Sequence, residues 1–221
     1  MPLSADIDFL DKKWKYLTTN LNPELAEKWF AFIVDHYSEK YRFYHNLLHI
    51  QSLLEYAEKY ASELNNIDTV QWAIWFHDIV YNPQSKENEA KSNEIWLSFV
   101  QEAQITEKNT INAVQAMILG SAKHTLDSIP KELLSENDKD ILYFFDFDLS
   151  ILGAEFSVYE KYAESIRKEY AFVPDTMYQE GRKRVLESFL LRQIYHSPDF
   201  KLLEPKAKEN MKQEFVKLKN I

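Results

Sequence analysis

His77 and Asp78 stand side by side at the end of an otherwise apolar run, Val70-Gln-Trp-Ala-Ile-Trp-Phe76. Taking an imidazole and a carboxylate out of water in such company is costly unless they are paired or hold a metal ion. They precede Asn82-Pro83, a helix stop, and the negative end of a helix dipole favours a cation. The plainer alternative is a satisfied core histidine followed by an aspartate that opens a loop. A second pair, His45 and His49, lies in Tyr44-His-Asn-Leu-Leu-His-Ile50. Four positions apart on a helix, the two imidazoles would share one face and could bind one metal. The outline is that of His-Glu-x-x-His, but Asn46 stands where the catalytic glutamate would be, so a zinc-protease reading fails. Otherwise His45 only caps or packs at a helix start. Asp146 and Asp148 sit among aromatics in Phe144-Phe-Asp-Phe-Asp-Leu-Ser150. Two apart on a helix, they diverge, and one faces the interior. A cap or loop aspartate ahead of Leu149 is the structural alternative. His124 follows the apolar run Ile111 to Leu119; a lone histidine there is ordinarily structural.

The elements that must position these groups read as helices almost throughout. Asn22-Pro23 is a helix start, and Leu25, Trp29, Phe32, Ile33 and His36 follow at helical spacing. A second helix is expected from about 47 to 64. A third, capped by Asp68, is expected from 70 to about 81 and is apolar nearly all round, the mark of a buried helix. Further helices are expected at about 86–104, from a Thr106 cap to about 119, and at 155–170, 174–195 and 204–218; Asp138 to Phe147 is strongly apolar and short. The stretch from Lys123 to Ser135, with Pro130, reads as a loop. Trp72, Trp75 and Trp96 at helical spacing read as core. No repeat or composition break appears, so the expectation is one all-α domain over residues 1–221.

Composition bounds the chemistry. The chain has 221 residues, with 3 glycines, 7 prolines and no cysteine. Few turn formers argue against a β sandwich or barrel. The missing thiols exclude disulfides, thiolate metal sites and cysteine nucleophiles. A formal charge of −9 argues against a nucleic-acid polymer as partner. The first ten residues lack the order of a signal peptide, and the uncharged stretch 109–122 is too short to span a bilayer. The expectation is a soluble cytoplasmic protein with no membrane partner.

Taken in order, His49, His77-Asp78 and Asp148 on an all-helical chain resemble the HD superfamily of metal-dependent phosphohydrolases, whose signature is His … His-Asp … Asp. The chain is more closely similar to the stand-alone branch of that superfamily. The matching stretches are Tyr44-His-Asn-x-x-His-Ile50, Trp75-Phe-His-Asp-Ile-Val-Tyr81, Asn88-Glu-x-x-Ser92 and Asp146-x-Asp-Leu-Ser-Ile-Leu-Gly153. Ile166-Arg-x-Glu-Tyr170 and Gly181-Arg-x-x-Val-Leu186 extend them, so the resemblance covers about 40–197.

The resemblance implies an HD-type helical bundle and makes His49, His77, Asp78 and Asp148 the metal ligands. Asp148 is preferred to Asp146 because it matches the family's acidic residue before leucine. Two nitrogens and two oxygens suit one divalent ion of Mn, Fe, Co, Ni, Zn or Mg. On this reading Asp78 takes the proton of the attacking water. Glu89 orients that water or binds His124, unless it only stabilises a helix N-terminus. His124 serves a second metal or the phosphate. Lys123 and Arg182 are the candidates for phosphate contact; their alternatives are a solvated lysine and a buried pairing of Arg182 with Glu169 or Glu180. Gly181, inside an apparent helix, suggests close packing or access for something large. The implied substrate is a small phosphorylated metabolite, most simply a nucleotide. Two other readings remain: a nucleotide-binding sensor with a structural metal, and a di-iron oxygenase in which His45 and His124 are the spare histidines.

Overall fold

The computed structural model describes residues 5–134 and 138–218. It is all-α, with no strand among the described residues. The chain forms two compact units, Met1–Phe144 and Phe145–Ile221, where the sequence reads as one.

The first unit holds α1 (Ile7–Leu17), α2 (Pro23–Tyr37), α3 (Leu47–Lys59), α4 (Ile67–Phe76), α5 (Asn88–Glu102) and α6 (Lys108–Gly120). Its first four helices start alike. The side chains of Asp6, Asn22, Asn46 and Asn66 each accept a backbone N–H of the first turn, satisfying donors that a helix start leaves unpaired. The α4 cap is thus Asn66 and not Asp68, and the helix opens three residues earlier than expected.

Every residue of α4 from Thr69 to Phe76 is buried, and α3, α5 and α6 pack around it. Trp72 and Phe76 meet Phe99 with ring centroids 5.1 Å apart, and Trp14 meets Trp75 edge-on at 5.5 Å. Truncating one such ring to alanine costs about 3–5 kcal/mol, so this aromatic core fixes α4 firmly. Trp72, Trp75 and Trp96 are core, as their spacing predicts.

The third helix is shorter than expected and ends at Lys59. The fourth ends at Phe76 rather than near Tyr81, with His77 as its C-cap. Helix α6 has no side-chain N-cap: its cap position is Glu107, one residue beyond Thr106. The expected loop after Lys123 contains short 3₁₀ turns at Leu126–Ser128 and Lys131–Leu133; its far end, Ser135, lies outside the described residues.

Helix α7 (Lys139–Asp148) carries the chain across the division between the units. The second unit continues with a 3₁₀ turn (Leu149–Gly153), α8 (Phe156–Glu169), α9 (Asp175–Leu190), α10 (Pro198–Lys201) and α11 (Glu204–Lys217). Helix α11 packs on the 3₁₀ turn, α9 and α8. Asn210 of α11 donates to the carbonyls of Leu152 and Ala154, which pins the turn beneath the helix.

Candidate metal centre

His49 is the third residue of α3, and His77 and Asp78 follow the last turn of α4. Each offers one ligand atom, and these atoms lie within 4.8 Å of one another. His77 Nε2 is 3.2 Å from Asp78 Oδ2 and 3.3 Å from His49 Nε2. His49 Nε2 is 3.9 Å from Asp78 Oδ2. Both imidazoles are 1% exposed, whereas the Asp78 side chain is 18% exposed, so water reaches the cluster on the carboxylate side.

The protonation of His77 follows from its other nitrogen. Nδ1 lies 3.0 Å from the carbonyl oxygen of Ile74. A carbonyl only accepts, so Nδ1 carries the hydrogen, and the ring in its neutral form offers the lone pair of Nε2 as a ligand. That lone pair faces a carboxylate oxygen and a second imidazole nitrogen. A proton or a metal cation can be shared among the three, and backbone bonding of the opposite ring nitrogen is how ligating histidines are held. His49, His77 and Asp78 therefore can hold a metal ion. Two imidazoles and one carboxylate suit a transition metal or zinc better than calcium.

Backbone contacts aim the ligands. Tyr37 of α2 is buried; its hydroxyl donates to the Trp75 carbonyl and accepts the Asp78 N–H, both at 3.2 Å. Arg42 donates to the carbonyls of Asp78 at 2.6 Å, Ile79 at 2.9 Å and His45 at 3.2 Å. On α5, Asn88 exchanges two hydrogen bonds with the Asn82 backbone, both 3.0 Å, and the Ser92 hydroxyl accepts the Val80 N–H at 3.1 Å. The Asn88-x-x-x-Ser92 stretch thus clamps the segment after Asp78. Phe144 lies edge-on to the His77 ring, centroids 5.5 Å apart.

His45 lies outside this triad. It precedes the N-cap Asn46, so it is not on the helix with His49, and its ring stacks on Tyr81 at 4.3 Å. This is packing at a helix start, the second of the sequence alternatives.

The other expected residues are placed as follows. Glu89 is the second residue of α5, half-buried, next to the clamp residue Asn88. Lys123 is exposed in the turn after α6. His124 has φ 53°, a left-handed conformation, and its N–H donates to the Gly120 carbonyl at 2.8 Å, so it terminates α6. Asp148, the last residue of α7, belongs to the second unit. Asp146 is the interior-facing member of its pair: it is fully buried and accepts the His196 and Ser197 N–H groups at 2.8 and 2.6 Å.

Arg182 pairs with a different carboxylate from the two expected. It is buried in the second unit, where its Nε and Nη2 hold both oxygens of Glu214 at 2.7 and 3.0 Å. That engagement accounts for the guanidinium without a phosphate, and the partner is Glu214 rather than Glu169 or Glu180. Sequence reasoning missed Arg42 and Tyr37 because both act on main-chain atoms far along the chain. The one signal was the aromatic-flanked arginine leading into the histidine motif, Tyr41-Arg-Phe-Tyr-His45. Compared with family models, curated proteins and solved structures, the chain matches none.

Proposed function

We propose that the protein is a metal-dependent hydrolase of phosphate ester or anhydride bonds in a small metabolite, with a nucleotide as the substrate class. The observation that carries the reading is the triad His49, His77 and Asp78, buried at its nitrogens and wet at its carboxylate. The ordered HD-like motifs around it give the reaction class. A divalent ion there lowers the pKa of water and draws charge from a phosphoryl oxygen. The chain's own groups supply the rest. Asp78, the ligand that water reaches, accepts the proton of the attacking water. The water oxygen bonds to phosphorus, the P–O bond to the leaving group breaks, and the leaving oxygen takes up the proton that Asp78 accepted. In the roles that the HD-like motifs imply, Glu89 orients the water, and Lys123 and His124 meet the phosphate.

The test begins with metal content by mass spectrometry on wild type, His77→Ala and Asp78→Ala, each checked for fold by circular dichroism. About one transition-metal ion per wild-type chain, lost in both variants, is the expected result. Phosphate release from a nucleotide panel with Mn, Co, Ni, Zn or Mg follows. Metal bound without any turnover favours a sensor. Two imidazoles with one carboxylate are also a ligand set of ferrous oxygenases, so oxygen consumption by the iron-loaded protein would favour that reading. A wild type that takes up no metal sinks all three.

A further inference from the structure

We propose that Arg42 is the positioning residue of the metal triad, setting the distance between His49 and the His77-Asp78 arm. The inference rests on the reading that the triad binds a metal, and adds to it the residue that assembles the site.

The triad is drawn from two separate segments. One is the lead-in to α3, which carries His49; the other is the turn that ends α4, which carries His77 and Asp78. Helix ends leave carbonyls without intrahelical partners, and a buried carbonyl left unpaired is costly. Arg42 answers both segments with one planar group. Nη1 reaches Asp78 O and His45 O, and Nη2 reaches Ile79 O. The fork is itself held. Nε donates to Glu39 at 2.9 Å, and the guanidinium lies against the rings of Tyr37 and Tyr81 at 5.0 and 5.5 Å. Tyr37 is the same residue that bridges Trp75 O and the Asp78 N–H. Tyr81 is the ring on which His45 stacks. Apart from Glu39 and Tyr41, these partners of the guanidinium belong to, or hold, a ligand-bearing segment.

The arginine is not a substrate contact. Its side chain is 0% exposed, its Nη donors point at main-chain oxygens, and Nε is taken by Glu39. Its positive charge also lies at the C-terminal end of α4, the favourable end for a cation. A lysine cannot replace it, because an ammonium is a point charge and cannot span carbonyls of two segments in one plane.

The experiment titrates cobalt(II) into wild type, Arg42→Lys and Arg42→Gln. Affinity is read by competition with a chelator, ligand geometry by the cobalt absorption spectrum, and fold by circular dichroism and thermal melting. The expected result is affinity about 10–100-fold weaker in both variants with an altered cobalt spectrum, while the helical signal stays. A folded Arg42→Lys with wild-type affinity and spectrum overturns the inference, since a merely structural arginine would leave both unmoved. Should neither arginine variant fold, Glu39→Gln loosens the Nε anchor at a more exposed position. A several-fold loss of affinity with a changed spectrum is then expected, and unchanged binding overturns the proposal. A wild type that binds no cobalt overturns the metal reading itself, which separates the two failures.

Discussion

At the scale of single residues, the site turns on which imidazole nitrogens are committed elsewhere. His77 gives Nδ1–H to Ile74 O and keeps Nε2 for the cluster. His45 and His49 look equivalent by spacing, yet a backbone boundary separates them. Asn46 caps α3 with ψ near −173°, so the chain before it leaves the helical path and His45 turns to Tyr81. Metal binding should follow that division. His49→Ala is expected to lose the bound metal, and His45→Ala to keep it within a few-fold, both read by metal content after dialysis. Equal loss in both would return His45 to the ligand set. The cluster of His49, His77 and Asp78 was legible because an imidazole and a carboxylate closing an apolar run must find a partner or an ion. Arg42 and Tyr37 were not, since a side chain that hydrogen-bonds main-chain atoms 36 to 41 residues away leaves no pattern in residue type beyond the aromatic flanks of Arg42.

At the scale of elements, helix starts were read better than helix ends. Asn22 and Pro23 act as expected because a cap needs only the next few residues. The end of α4 was placed too late, since Pro83 is not what stops it. The Ile74 carbonyl is taken by His77 Nδ1, and the Trp75 carbonyl and the Asp78 N–H are both taken by the Tyr37 hydroxyl, so the bonds that would extend the helix past Phe76 are replaced by these contacts. Glycines show the same split. The sequence reads Gly181 in α9 as a position of close packing or of access for something large; a Cβ built there meets nothing within 4 Å, which removes the close-packing reason, and none of the described glycines has positive φ. At Gly153 a Cβ would lie 2.8 Å from Leu203 Cβ and 2.9 Å from the Tyr195 hydroxyl. Gly181→Ala should therefore stabilise the protein by about 0.5–1 kcal/mol through helix propensity. Gly153→Ala should destabilise it by about 1–3 kcal/mol through overpacking. Denaturant midpoints of the two variants, moving in opposite directions, check both; a loss in Gly181→Ala would reveal a contact that the helix face does not show.

At the scale of the whole molecule, the two units carry their polar groups differently. The first buries two imidazoles, His49 and His77, in a cluster that could hold a metal ion. The second buries a network that satisfies itself: Arg182 and Tyr159 both bind Glu214, and Tyr162 and Tyr178 lie close to the same charges. Its members come from α8, α9 and α11, which is why residue spacing named Arg182 and missed its partner. The network makes stability depend on pH at the alkaline end. Burial, reinforced by the Glu214 charge and opposed by Arg182, holds the Tyr159, Tyr162 and Tyr178 phenols above their ordinary value of 10.0, Tyr178 at about 12. Below pH 10 these phenols are neutral folded or unfolded, and the unfolded chain gains nothing. Above it the unfolded phenols release protons while the folded ones resist, so stability falls as pH rises through the window from 10 to about 12. Tyr178 alone accounts for a loss on the order of 2 kcal/mol across that window. Denaturant midpoints measured from neutral pH upward, alongside native tyrosinate absorbance, should decline once pH passes 10, and Tyr178→Phe should flatten the decline. A midpoint that holds steady to pH 12 would mean that these phenols ionise in the folded protein as readily as in water, and that the second unit is wetter at its centre than its packing implies.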